Sequence, residues 1–189
     1  AIHSKNSKGR KFPEEEAVYL RWMEQIAEMN ANTIRVYTLL PPEFYRALAY
    51  YNRSHPEKLL WLLQEVWPEE HPEDNNYLKE EYVDEFEREI ERLIDAIHGQ
   101  ANIPERQGRA YGIYTSDVSS YVLGYLVGRE LEPDEVEATD EKNKGFSFTG
   151  KYLSSTREAS PTEAWLAMNC DHLVSYQQER FGWQHPGAI

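Results

Sequence analysis

The chain has 189 residues, of which 40% are apolar and 13% aromatic, and its formal net charge is −13. That length suits one domain with a sizeable core. The negative charge disfavours nucleic acid and anionic membrane surfaces as partners, because both are themselves negative. A single cysteine, Cys170, excludes an internal disulfide, and no apolar run is long enough to predict a membrane span. The histidines are too scattered to predict a metal site, so no cofactor is expected.

The first half of the chain alternates helical and extended patterns. A stripe at helical spacing over residues 13–29 predicts a helix that buries Tyr19, Trp22, Ile26 and Met29. Residues 33–38 are β-branched and aromatic and predict a strand. Residues 42–52 predict a short helix, and the apolar run over residues 59–67 predicts a strand buried on both faces.

The second half continues the alternation. It begins with a predicted helix over residues 77–98 that ends at Gly99, followed by an irregular insert with a hairpin around residues 107–108. A strand is predicted over residues 122–128, and a polar connection follows over residues 132–160. The last predicted elements are a helix over residues 161–181, capped by Ser160, and the start of a strand over residues 186–189. Helices that alternate with strands predict right-handed βαβ units. The fold class is therefore α/β with a parallel sheet, in a single domain over residues 1–189.

Polar side chains follow each predicted strand, where the functional groups of parallel α/β folds gather. The candidate site residues, in strand order, are Arg35 and Tyr37, then Gln64 and Trp67, then Arg129, Glu130 and Glu132.

Glu130 is the leading catalytic candidate. It follows a mostly apolar strand and Gly128, a residue that permits close backbone approach. Partial desolvation at this position would raise the pKa of the carboxyl and suit it to donate a proton. The alternative is a structural carboxylate that caps the strand or pairs with Arg35 or Arg129. Arg35 lies within an apolar strand and either holds a carboxylate in the site or forms a structural ion pair. Tyr37 and Trp67 either stack on sugar faces or belong to the core and its rim.

Two strand motifs resemble those of clan-A glycoside hydrolases. They are N-T-I-R-V-Y over residues 32–37 and V-L-G-Y-L-V-G-R-E over residues 122–130, with the apolar strand between them. The likeness is closest to the β-1,3-glucanosyltransferase branch, whose corresponding strands read N-T-I-R-V-Y and V-L-G-F-x-x-G-N-E. It spans about residues 14–130.

The resemblance implies a retaining (β/α)₈ barrel that acts on β-linked glucan-like polysaccharide. Glu130 is then the general acid/base, Arg35 supports a nucleophilic glutamate on the seventh strand, and the other candidates line the sugar cleft. These residues correspond to about strands 2–5, so we expect the segment alone to be inactive and the nucleophile to lie outside it. The family also implies secretion or cell-surface attachment, and the oligomeric state stays open.

Arg129 departs from the family, which has a sugar-contacting asparagine at that position. The alternative interpretation is therefore a non-catalytic carbohydrate-binding relative with the same barrel. A third is an unrelated α/β domain whose strand-end charges are structural.

Overall fold

A computed structural model describes residues 12–189. Within them lie five α-helices: α1 (Glu16–Glu28), α2 (Pro42–Ser54), α3 (Glu80–Ile97), α4 (Pro133–Lys142) and α5 (Pro161–Phe181). The strands of the same part of the chain are β1 (Thr33–Val36), β2 (Trp61–Val66), β3 (Ala101–Ile103), β4 (Gly112–Tyr114), β5 (Val122–Val127) and β6 (Gly187–Ala188). The predicted α/β class is confirmed.

The main sheet has four strands in the order β1-β2-β5-β6. β1 pairs with β2 in parallel, from Thr33 opposite Trp61 to Val36 opposite Gln64. β5 pairs with β6 in parallel, with Tyr125 opposite Gly187. β3 and β4 form a separate antiparallel hairpin, which confirms the hairpin predicted around residues 107–108. Consecutive parallel strands confirm the sheet type that the helix–strand alternation predicted.

Three local predictions were wrong. The connection over residues 132–160 contains α4, whose start has the proline and acidic first turn typical of a helix N-terminus. α1 turns a different face inward: Met23 and Ala27 are buried with Tyr19, whereas Met29 is 71% exposed. α3 begins at Glu80, so Tyr77 precedes the helix.

The described chain divides into two compact units, one of residues 12–64 and 92–123, the other of residues 65–91 and 124–189. The first unit packs α1 against α2 through aromatic rings. The Phe44 ring lies 5.8 Å from that of Tyr19 and 5.2 Å from that of Tyr45, both edge-on. Asn52 on α2 holds the approach to β2, since its amide both donates to the Leu60 carbonyl at 2.9 Å and accepts from the Leu60 N–H at 2.8 Å.

The second unit is built around Trp165 of α5. Its indole stacks on Tyr77 at 4.8 Å and on Phe86 at 5.6 Å. Cys170 on the same helix is buried, and burial raises the pKa of its thiol to about 11. The predicted Ser160 cap is confirmed, because its hydroxyl accepts from the Glu163 N–H and the Glu163 carboxylate accepts from the Ser160 N–H. A local signal therefore determined the start of this helix.

Asp171 of α5 organises the loop that precedes its helix. Its carboxylate accepts the backbone N–H groups of Lys151, Tyr152 and Leu153 at 3.2, 2.6 and 2.7 Å. A β-carbon at Gly150 would lie 2.4 Å from the carboxyl carbon, so only glycine fits there. One buried acid thus holds a polar loop in place.

Candidate active site

The second unit contains the strand ends that carry most of the predicted site. Gly128 donates its N–H to the carbonyl of Val66 at 3.1 Å, so the chain leaves β2 and β5 side by side. Gly128 has a φ of 117°, a conformation that side chains with a β-carbon rarely adopt. The carboxyl ends of parallel strands lie at one edge of a sheet. The segments that follow β2 and β5, which contain Trp67 and Arg129, are therefore neighbours.

Glu65 and Trp67 form a local pair at the end of β2. The indole N–H of Trp67 donates to the Glu65 carboxylate at 2.8 Å. Glu65 is 5% exposed, whereas the Trp67 ring is partly open to solvent. The hydrogen bond orients the indole and leaves part of the ring available for stacking.

Glu130 is exposed to solvent at the end of β5. The partial desolvation expected for this carboxyl is therefore wrong for the protein without a ligand. Its backbone carbonyl accepts a hydrogen bond from the Arg129 guanidinium at 2.9 Å. Arg129 thus binds the main chain of Glu130 and leaves the carboxyl open to the medium.

Arg129 turns inward. Its side chain is 4% exposed and forms an ion pair with Glu135, which is 1% exposed. A buried charge requires a partner, and this pair supplies one. Glycan contact by the Arg129 side chain, as predicted, would need that pair to open.

Glu135 is the central residue of the site, and sequence reasoning missed it. Besides Arg129, its carboxylate accepts the Tyr77 hydroxyl at 2.6 Å and the His71 backbone N–H at 3.2 Å. Burial by itself raises the pKa of this carboxyl, but the hydrogen bonds from Tyr77 and Arg129 outweigh it and lower the pKa. Glu135 therefore stays ionised in the interior. The acidic first turn after Pro133 was the signal for it.

Hydrogen bonds join the loop between β2 and α3 to α4. The Thr139 hydroxyl accepts the Tyr77 N–H at 3.0 Å and donates to the Asn75 carbonyl at 3.2 Å. His71, with a φ of 56°, is left-handed, and 83% of its side chain is exposed. Its Nδ1 lies 3.5 Å from the Glu135 carboxylate. The His71 imidazole is therefore exposed on a loop whose backbone is held by hydrogen bonds to Glu135 and Thr139.

The first unit contains the other predicted residues. Arg35 is exposed, and its guanidinium lies 5.0 Å from the centre of the Tyr37 ring, which is itself 50% exposed. Gln64 is fully buried: its amide accepts from the Tyr45 hydroxyl at 2.9 Å and donates to the Thr38 carbonyl at 3.3 Å. That burial argues against the predicted contact between Gln64 and a sugar.

Glu132 is exposed and directly precedes α4. Its side chain makes no capping hydrogen bond to that helix, so its place in the site is at the solvent edge. In residues 12–189, no helix combines the length and the apolar character that crossing a membrane requires. No family model, curated protein or solved structure matches this chain.

Proposed function

We propose that this chain is part of a glycoside hydrolase or transglycosylase that acts on β-linked glucan-like polysaccharide. The observation that carries the proposal is the place of Glu130: a carboxyl at the carboxyl end of a parallel strand, on a main chain held by Arg129. The strands β1, β2, β5 and β6 follow one another across the sheet in chain order, as neighbours in a (β/α) barrel do. This order supports a partial barrel of about strands 2–5.

In the proposed reaction, Glu130 protonates the leaving glycosidic oxygen and then removes a proton from the incoming water or sugar hydroxyl. A retaining mechanism needs a second carboxyl about 5 Å away as nucleophile. The resemblance assigns that nucleophile to the seventh strand and gives Arg35 the task of supporting it. A bound sugar would cover the exposed Glu130 carboxyl and provide the desolvation that the free protein lacks.

The Arg129–Glu135 pair bears on the departure from the family motif. The guanidinium enters a buried ion pair with Glu135 and also binds the main-chain carbonyl of Glu130. The arginine and its carboxylate partner form one structural unit, six positions apart on the chain. The pair therefore gives Arg129 a structural role at the position of the family's sugar-contacting asparagine.

A non-catalytic carbohydrate-binding relative is the second candidate. The exposure of Glu130 favours it, because a general acid gains from desolvation that an exposed carboxyl lacks. Exposed Tyr37 and partly exposed Trp67 would serve binding equally well in either case.

Calorimetric titration with β-1,3-glucan oligosaccharides separates the candidates, combined with turnover measurements on the complete barrel protein. Glu130→Gln should keep sugar affinity and lower turnover by about 10²–10⁴-fold. The matched control is Glu137→Gln, which neutralises an exposed glutamate on α4.

Turnover of Glu130→Gln equal to that of the wild type would refute the acid/base role. Sugar binding with no turnover by the wild type would establish the binding-only relative. If the titration gives no heat at about millimolar sugar, the remaining interpretation is an unrelated α/β domain.

A further inference from the structure

One buried carboxylate joins the strand end that carries Glu130 to the loop after β2. Glu135 binds Arg129 from the segment after β5, and it binds Tyr77 and His71 from the loop. The Arg129 guanidinium uses its other terminal nitrogen on the Glu130 carbonyl. A continuous chain of hydrogen bonds therefore runs from Tyr77 through Glu135 and Arg129 to the main chain of Glu130.

The geometry restricts the movement of the residues in this series of hydrogen bonds. Both terminal nitrogens of Arg129 donate hydrogen bonds, one to the Glu130 carbonyl and one to the Glu135 carboxylate. The planar guanidinium fixes the angle between these two contacts. Tyr77 cannot drift from the carboxylate, because its ring is stacked on Trp165 and fully buried. Glu130 itself is exposed and lies two residues after Gly128, whose φ is positive. Its position depends on contacts made by its neighbours.

We infer that Glu135 is a positioning residue for Glu130 and acts through the Arg129 guanidinium. This inference rests on the proposed function. Buried ion pairs often add little net stability compared with apolar residues of the same size, so stability alone is a weak reason for one here. Placement of a catalytic group is a stronger reason, because a shift of about 1 Å costs about 100-fold in rate.

The discriminating variant is the double substitution Arg129→Met with Glu135→Leu. It replaces the ion pair by apolar side chains and leaves no buried charge behind. The Tyr77 hydroxyl and the His71 N–H lose this acceptor, so the thermal midpoint is measured as the folding control. The double substitution also removes the contact to the Glu130 carbonyl. Positioning predicts that kcat of the complete barrel protein falls by about 10–100-fold while KM stays within about threefold.

Tyr77→Phe provides a second measurement in a variant that keeps the ring stack and loses only the hydroxyl. We expect kcat to fall by about threefold or more, with the thermal midpoint as the folding control. Glu137→Gln on the same helix should leave both kcat and KM at wild-type values.

A purely structural role for Glu135 predicts the opposite result. The double variant would then fold and turn over at the wild-type rate, which would overturn the inference while the proposed function stands. A wild-type protein that binds no β-1,3-glucan oligosaccharide and hydrolyses none would instead overturn the proposed function.

Discussion

Each unit buries a polar network, and the two networks differ in charge. In the first unit the members are neutral: Gln64, Tyr45 and Tyr114 are all almost fully buried. In the second unit Arg129 and Glu135 are ionised and Tyr77 is neutral. Both networks pair buried polar groups, although the Nε of Arg129 has no hydrogen-bond partner among residues 12–189. Removing one partner is far more costly where charge is left behind.

The neutral network spreads its hydrogen bonds over the main chain. Tyr45 donates to Gln64 at 2.9 Å and accepts from the Leu40 N–H at 3.3 Å, while the Tyr114 hydroxyl donates to the Leu40 carbonyl at 2.9 Å. Each such bond adds about 0.5–1.5 kcal/mol, and no single one dominates. In the charged network, the contacts from Arg129, Tyr77 and His71 all meet at the Glu135 carboxylate, so its loss breaks all three.

Glu135→Ala should have the largest effect. The substitution leaves the Arg129 guanidinium buried without its carboxylate, and we expect the free energy of unfolding to fall by about 3–5 kcal/mol. Urea denaturation followed by circular dichroism measures the change. Glu137→Ala, at an exposed position of the same helix, is the control and should stay near wild type. Equal losses in both variants would mean that the buried ion pair contributes no more than an exposed glutamate of the same helix.

Gln64→Leu tests the neutral network. The side chain keeps its approximate size but loses both amide contacts, so the Tyr45 hydroxyl loses its acceptor and the Thr38 carbonyl one donor. We expect a loss of about 1–3 kcal/mol in the free energy of unfolding. Urea denaturation followed by circular dichroism measures the change. A loss as large as that of Glu135→Ala would remove the contrast between the two networks.

Acid should weaken the second unit through two buried carboxyls. Burial opposes ionisation of Glu135 and Asp171, but hydrogen bonds outweigh it and lower both pKa values in the folded protein. The unfolded chain therefore binds more protons at acidic pH. The stability from these groups is complete above the ordinary carboxyl pKa and is lost as pH falls towards the lowered folded values. The variant Asp171→Asn should show a flatter dependence of unfolding free energy on pH, and an unchanged slope would contradict this assignment.

Lys79→Met should have the smallest effect. Lys79 pairs with Glu73 and Asp74 at 2.8 and 2.7 Å, and both carboxylates are well exposed. Solvent and salt screen such pairs, so the urea midpoint should match that of the wild type. A clear drop would show that the loop between β2 and α3 depends on surface charge as well as on its buried contacts with α4.

The sequence predicted the regular elements well wherever hydrophobic periodicity was strong. α5 has the predicted limits, and β1, β2, β5 and β6 lie within the predicted segments, because burial pattern and caps are local signals. α4 was missed, since its residues are mostly polar and its buried members, Glu135 and Thr139, are types usually found at the surface. The inward face of α1 was also wrong, because two faces carried apolar residues and packing against α2 selected one.

The sequence by itself determined the α/β class and the position of Glu130 directly after an apolar strand. Only the tertiary structure decided which nearby carboxyl is buried: Glu130 is open to water, and Glu135 is enclosed. The physical reason is that burial and pairing of a charge depend on groups distant along the chain. Tyr77 lies 58 positions from Glu135, and no local pattern shows that they meet.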